Sequence, residues 1–110
     1  MNTIILAKPK TEAPKTEAPK TDPKTRLCPM YRVLVHNDEV TTVGFVVMVL
    51  KQIFSLPQAK AVEVMVEADK TGVALVTVEP LERAEFHVEQ CKSLSSAAKY
   101  PLTFTYEEDN

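Results

Sequence analysis

The 110-residue chain has no tryptophan, two glycines, two cysteines and two histidines. It has no apolar run long enough to span a bilayer. Cys28 and Cys91 lie far apart and form no CxxC pair, which argues against a disulfide framework or a zinc site and for a reducing compartment. The cytosol is the simplest expectation, with a plastid or other organelle stroma as the alternative. The apolar run Ile4-Ile5-Leu6-Ala7 is too short for a signal-peptide core. A strong excess of either charge is also missing. The net charge of -2 and pI near 5.7 argue against nucleic acid as the main partner. No nucleophile–base–oxyanion set can be assembled, so an enzyme is not expected. His87 and Cys91 stand four apart on one helix face, but two ligands without a third or fourth are a weak metal signal. They read as an exposed histidine and a core cysteine.

What is present is unevenly spread. Residues 1–30 hold six basic and three acidic side chains, and residues 31–110 hold seven basic and twelve acidic. A basic arm therefore precedes an acidic body. The arm repeats Pro-Lys-Thr-Glu-Ala at 9–13 and 14–18, then Pro-Lys-Thr at 19 and 23. Regular proline blocks a continuous helix, and no apolar face exists to bury. An extended tail over residues 1–29 with polyproline II character follows, either a plain spacer or an arm that something else grips.

Residues 30–110 read as one small domain. Arg32–His36 is a short β-run. Thr41 or Thr42 can cap a helix over 43–54, whose nearly encircling apolar residues mark it as the central helix. Ser55, Pro57 and Gln58 suggest a capping box opening a second helix over 57–68, with Ala61, Val62, Met65, Val66 and Ala68 on its apolar face. Gly72 suits the left-handed turn that ends it. A strand over 73–78 follows, then a helix from Pro80 to Ser96 with Leu81, Ala84, Val88, Cys91 and Leu94 on one stripe, and a strand over 102–106. The order β-α-α-β-α-β predicts an α+β open-faced sandwich, a three-stranded antiparallel sheet with three helices on one face. A core of roughly 75 residues leaves no room for a large cofactor, and none is expected.

The chemistry concentrates where the first strand ends. Asn37 and Asp38 place a carboxamide and a carboxylate beside a strongly apolar helix, a suitable cradle for an amine bearing a hydrophobic group. The same pair is also ordinary turn or capping chemistry.

At Asn37-Asp38-Glu39, then Thr41 and Phe45-Val46-Val47, the sequence resembles the ClpS family, adaptors of Clp proteases that recognise N-degrons. The resemblance covers residues 30–106 and includes Phe54-Ser55, Met65, Gly72, Ala84-Glu85 and Pro101-Leu102. It implies the same fold and no catalysis. It implies a protein that holds the free α-amine of substrates beginning with Leu, Phe, Tyr or Trp and delivers them to a ClpA- or ClpC-type AAA+ unfoldase. It places Asn37 and Asp38 at the amine. Thr41, Val43, Val46, Met65, Ala68 and Leu102 fall around the first side chain, and Glu82 and His87 on the unfoldase-docking surface. Neither nucleic acid nor membrane is an implied partner.

Departures cluster in the ligand site and suggest a divergent paralogue. Asp69 stands where the family commonly has histidine, and Val43 where it has a gatekeeper methionine. Thr42 replaces a proline, Ala68 a valine and His87 a lysine. Asp69 retains an acceptor for the amine, but reads equally as a solvated aspartate at a helix end. Val43 also reads as ordinary helix core, and Met65 more readily as core than as a ligand contact. The alternative function is a regulator that docks the unfoldase and blocks other substrates without binding N-degrons.

Overall fold

Alternating apolar residues in Met30-Tyr-Arg-Val-Leu-Val-His36 put Val33 and Val35 on one face, where both are fully buried. This strand, β1 (Met30–His36), is the middle of a three-stranded sheet in a computed structural model that describes residues 28–110. The tail expected over 1–29 lies outside the described residues, apart from its last two. β1 pairs antiparallel with both β2 (Val73–Pro80) and β3 (Thr103–Glu108), giving the order β2-β1-β3. Three helices connect the strands: α1 (Val43–Phe54), α2 (Gln58–Thr71) and α3 (Leu81–Ala98). The sandwich inferred from the sequence is the fold observed.

The helices cover one face of the sheet. α2 lies on β2, and α3 lies on β3 and β1. α1 packs against both neighbouring helices, so it is central in that layer. Its apolar ring is not fully buried, however. Val46, Val49 and Leu50 face inward, while Gly44, Lys51 and Gln52 form part of an outer face. In α2 the inward stripe is Ala61, Val64 and Ala68, at i, i+3 and i+7; Val64 replaces the expected Val66, which points outward. Leu81, placed on the α3 stripe from sequence, is likewise exposed.

At the helix ends two expectations hold and one does not. Thr42 caps α1, its hydroxyl accepting from Phe45 N at 3.2 Å. Ser55 does not open α2. It ends α1 in the left-handed region (φ 57°), where its N–H reaches Leu50 O. The expected capping box is therefore absent, and Gln58 instead accepts from Lys51 Nζ at 2.7 Å. Gly72 takes the left-handed conformation expected of it, with φ 93°.

A register shift between Val33 and Leu34 adds Val76 to β2. This bulge breaks the two-residue alternation, so Ala74, Val76 and Glu79 are all buried. A carboxylate thereby arrives on the helix-covered face.

Candidate functional site

Where β1 ends, the chain turns away from the sheet through Asn37–Thr42 before α1 begins. Asp38 organises this turn. Its Oδ1 accepts from Val40 N at 2.8 Å and from Thr41 N at 2.7 Å, and its Oδ2 accepts from Thr41 Oγ1 at 2.7 Å. Asp38 is therefore turn chemistry, yet a carboxylate has about four acceptor positions and these bonds take three. Partial burial pushes its pKa up, but the bonds from Thr41 Oγ1, Thr41 N and Val40 N more than offset that and hold it below the ordinary carboxylate value. The group stays ionised at neutral pH, with one position on Oδ2 still open.

The second side of the site is the end of α2. Asn37 N donates to Gly72 O at 3.0 Å, which ties the end of the first strand to the cap of the second helix. The turn after Ala68 can make this bond because Gly72 tolerates positive φ. Asp69, in the last turn of α2, is exposed beside it.

A cavity of about 370 Å³ opens between these elements. Asn37, Asp38, Asp69, Thr41, Val43, Val46, Met65, Ala68 and Leu102 all line it. The amine-side and pocket residues named from sequence thus come together around one space. Its floor is apolar: Val46, Ala68 and Leu102 are buried, and Met65 is half-buried. Val43 stands at the mouth, 57% exposed, and is not helix core. The wall carries Asp38, Glu39 and Asp69 and no lysine or arginine.

Sequence reasoning missed Val35, His36 and Glu39, which also line the space. The signal was available. Val35 follows Val33 by two on the buried face, and His36 and Glu39 flank the polar pair. His36 Nε2 also lies 2.8 Å from Thr105 Oγ1 on β3.

Glu82 and His87 lie elsewhere, on α3. Glu82 is exposed in the first turn. His87 is not the exposed residue expected. Its Nδ1 is 2.8 Å from Glu79 Oε2, its side chain is 18% exposed, and its ring meets Phe54 edge-on at 5.0 Å. The β2 bulge brings Glu79 inward to meet it. Cys91 is core, and burial pushes its thiol up to about 12, out of reach as a nucleophile. No helix among the described residues is long and apolar enough to cross a membrane.

Residues 27–105 match the model of the ATP-dependent Clp protease adaptor protein ClpS family. The chain is 42% identical over 87 residues to the Roseobacter denitrificans ClpS adapter, covering 79% of this chain and 77% of that one. It is 48% identical over 71 residues to the Synechococcus elongatus ClpS adapter, covering 64% and 75%. Among solved structures, Agrobacterium tumefaciens ClpS2 bound to L-phenylalaninamide superposes with a TM-score of 0.72 at 33% identity, covering 74% of this chain and 99% of that one.

Proposed function

Because the chain belongs to the ClpS family of Clp protease adaptors, we propose that it binds the free α-amine and large hydrophobic first residue of N-degron proteins and hands them to a ClpA- or ClpC-type unfoldase in the cytoplasm. The observation that carries this reading is the cavity, with an apolar floor and a lip bearing one carboxamide, three carboxylates and no fixed cation. An ammonium presents three donors. The open position on Asp38 Oδ2, the Asn37 carbonyl and the Asp69 carboxylate are its acceptors, and the first side chain enters between Val46, Met65, Ala68 and Leu102. The Agrobacterium relative's ligand has these same two features, a free α-amine and a benzyl group.

Each charge-assisted bond contributes about 1.5–3 kcal/mol and a buried Leu or Phe side chain about 2–3 kcal/mol, so neither half of the ligand suffices alone. The test is a set of peptides differing only in residue one, each with an Nα-acetylated twin. Leu, Phe, Tyr and Trp are expected to bind, with acetylation weakening each by about 100-fold or more. Equal binding of the acetylated twins would sink the proposal.

A second reading rests on Asp38, which gives three of its acceptor positions to its own turn. On that reading the chain docks the unfoldase and blocks other substrates. The same titration separates the two, since a blocking regulator binds none of the peptides.

A further inference from the structure

The helices cover one face of the sheet, and on the other face the two edges differ. At the β3 edge the open-face residues are Thr103, Thr105 and Glu107, all exposed. Thr105 bonds His36, and Glu107 pairs with Arg32. Hydroxyls and charges keep an exposed edge strand from pairing with other segments. At the β2 edge the open-face residues Val73, Leu75 and Val78 are exposed and apolar, with Leu75 at 48%. Leu75 pairs with Leu34, so the apolar row continues onto β1. The one carboxylate of β2, Glu79, is buried against His87 on the helix side and does not guard this edge. A groove of about 350 Å³ runs along the same edge, between Glu63, Val64 and Glu67 of α2 and Val73, Ala74 and Leu75 of β2. A strand edge beside a helix is a setting in which an extended segment adds as a further strand.

We propose that residues 3–8 of the same chain, Thr-Ile-Ile-Leu-Ala-Lys, pair with the β2 edge as a fourth strand. Within residues 1–27 this is the one apolar run; its β-branched side chains suit a strand, and Pro9 stops it. Alternation puts Ile4 and Leu6 over Val73, Leu75 and Val78, and Ile5 and Ala7 into the groove beside Val64. Antiparallel pairing brings Lys8 and Lys10 to the Val73 end of β2, where Glu67 and Glu63 stand on α2. The tether reaches. Pro80 pairs with Met30, so the Val73 end lies one strand length from the start of β1, about 26 Å for eight residues. Residues 9–27 extend to roughly 60 Å. The basic repeat thus links a domain with an unguarded apolar edge to the segment that covers it.

Hydrogen exchange of the β2 amides not bonded to β1, followed by NMR on the full chain with sedimentation alongside, tests this. The wild type is expected to be monomeric, with these amides exchanging about tenfold or more slowly than in an Ile4→Asp, Leu6→Asp double variant. Both substitutions lie outside the folded domain, so the β1 amides stay equally protected. Leu75→Thr, which keeps β propensity, is expected to lose the same protection, and Lys8→Glu to lose a few-fold. Equal exchange in the wild type and the double variant overturns the proposal. A wild-type dimer whose β2 protection rises with protein concentration also overturns it, since the occupant is then β2 of a second copy.

Discussion

Two corners of this small domain each pair a carboxylate with a helix, and they are built in opposite ways. At the end of β2, Glu79 is buried and meets His87 under the edge of Phe54. At the end of β1, Asp38 is held by its own turn and faces a cavity with one acceptor position open. The first corner is closed by packing and hydrogen bonding. The second is fixed in orientation but incomplete, the state expected of a group waiting for a donor. Carboxylate burial alone does not separate a site from a strut; what separates them is whether the partners already present complete the group.

The sharpest way to break this contrast is to remove charge at the open corner while keeping its shape. Asp38→Asn retains an acceptor for the turn and loses the ion. Peptide affinity is expected to fall by about 10- to 100-fold, with the fold intact, as read by fluorescence anisotropy and circular dichroism. The pH profile gives a second reading. Asp38 has its pKa lowered in the folded state. Its contribution to stability is therefore complete above the unfolded aspartate value near ~3.9 and is lost as pH falls through the lower folded value. Peptide binding should follow the same acidic limb and also decline above about pH 8, where a free α-amine loses its proton. Asp38→Asn should flatten the acidic limb and leave the alkaline one. An unchanged acidic limb would show that Asp38 does not meet the ligand.

At the closed corner the expected effect is on stability. His87→Ala strips the partner from a carboxylate that is 7% exposed, at an expected cost of about 2 kcal/mol in urea unfolding, without altering peptide affinity. A variant as stable as the wild type would show that Glu79 is solvated and that the corner is not closed.

These two corners also show how far the sequence can be read. Asn37 and Asp38 were legible because they interrupt an apolar strand just before an apolar helix. The cavity residues on α1, α2 and the β3 approach were legible through family resemblance, since no periodicity brings Leu102 to Ala68. The Glu79–His87 pair was not legible. It depends on the extra residue at Val76, and a bulge leaves no mark in a run of valines and alanines that alternates well enough without one. Ser55 misled for a related reason. Serine before proline is a good helix opener, but here the chain ends α1 through a left-handed turn first.

The smallest effect joins the two halves of the open corner. Gly72 sits at φ 93° with nothing within 4 Å of where a Cβ would lie, so Gly72→Ala meets backbone strain and no clash. The expected destabilisation is about 1 kcal/mol. Its carbonyl, however, receives Asn37 N at 3.0 Å, and Asp69 lies three residues before it. If the strain is relieved by shifting the turn, the lip residues move with it and peptide affinity falls by a few-fold. If it is borne in place, stability drops and affinity holds. Comparing the urea midpoint with peptide affinity for this one variant shows whether the cap of α2 merely ends a helix or also sets the spacing between the Asn37–Asp38 side of the lip and Asp69. The direct bond between the two elements favours the second outcome.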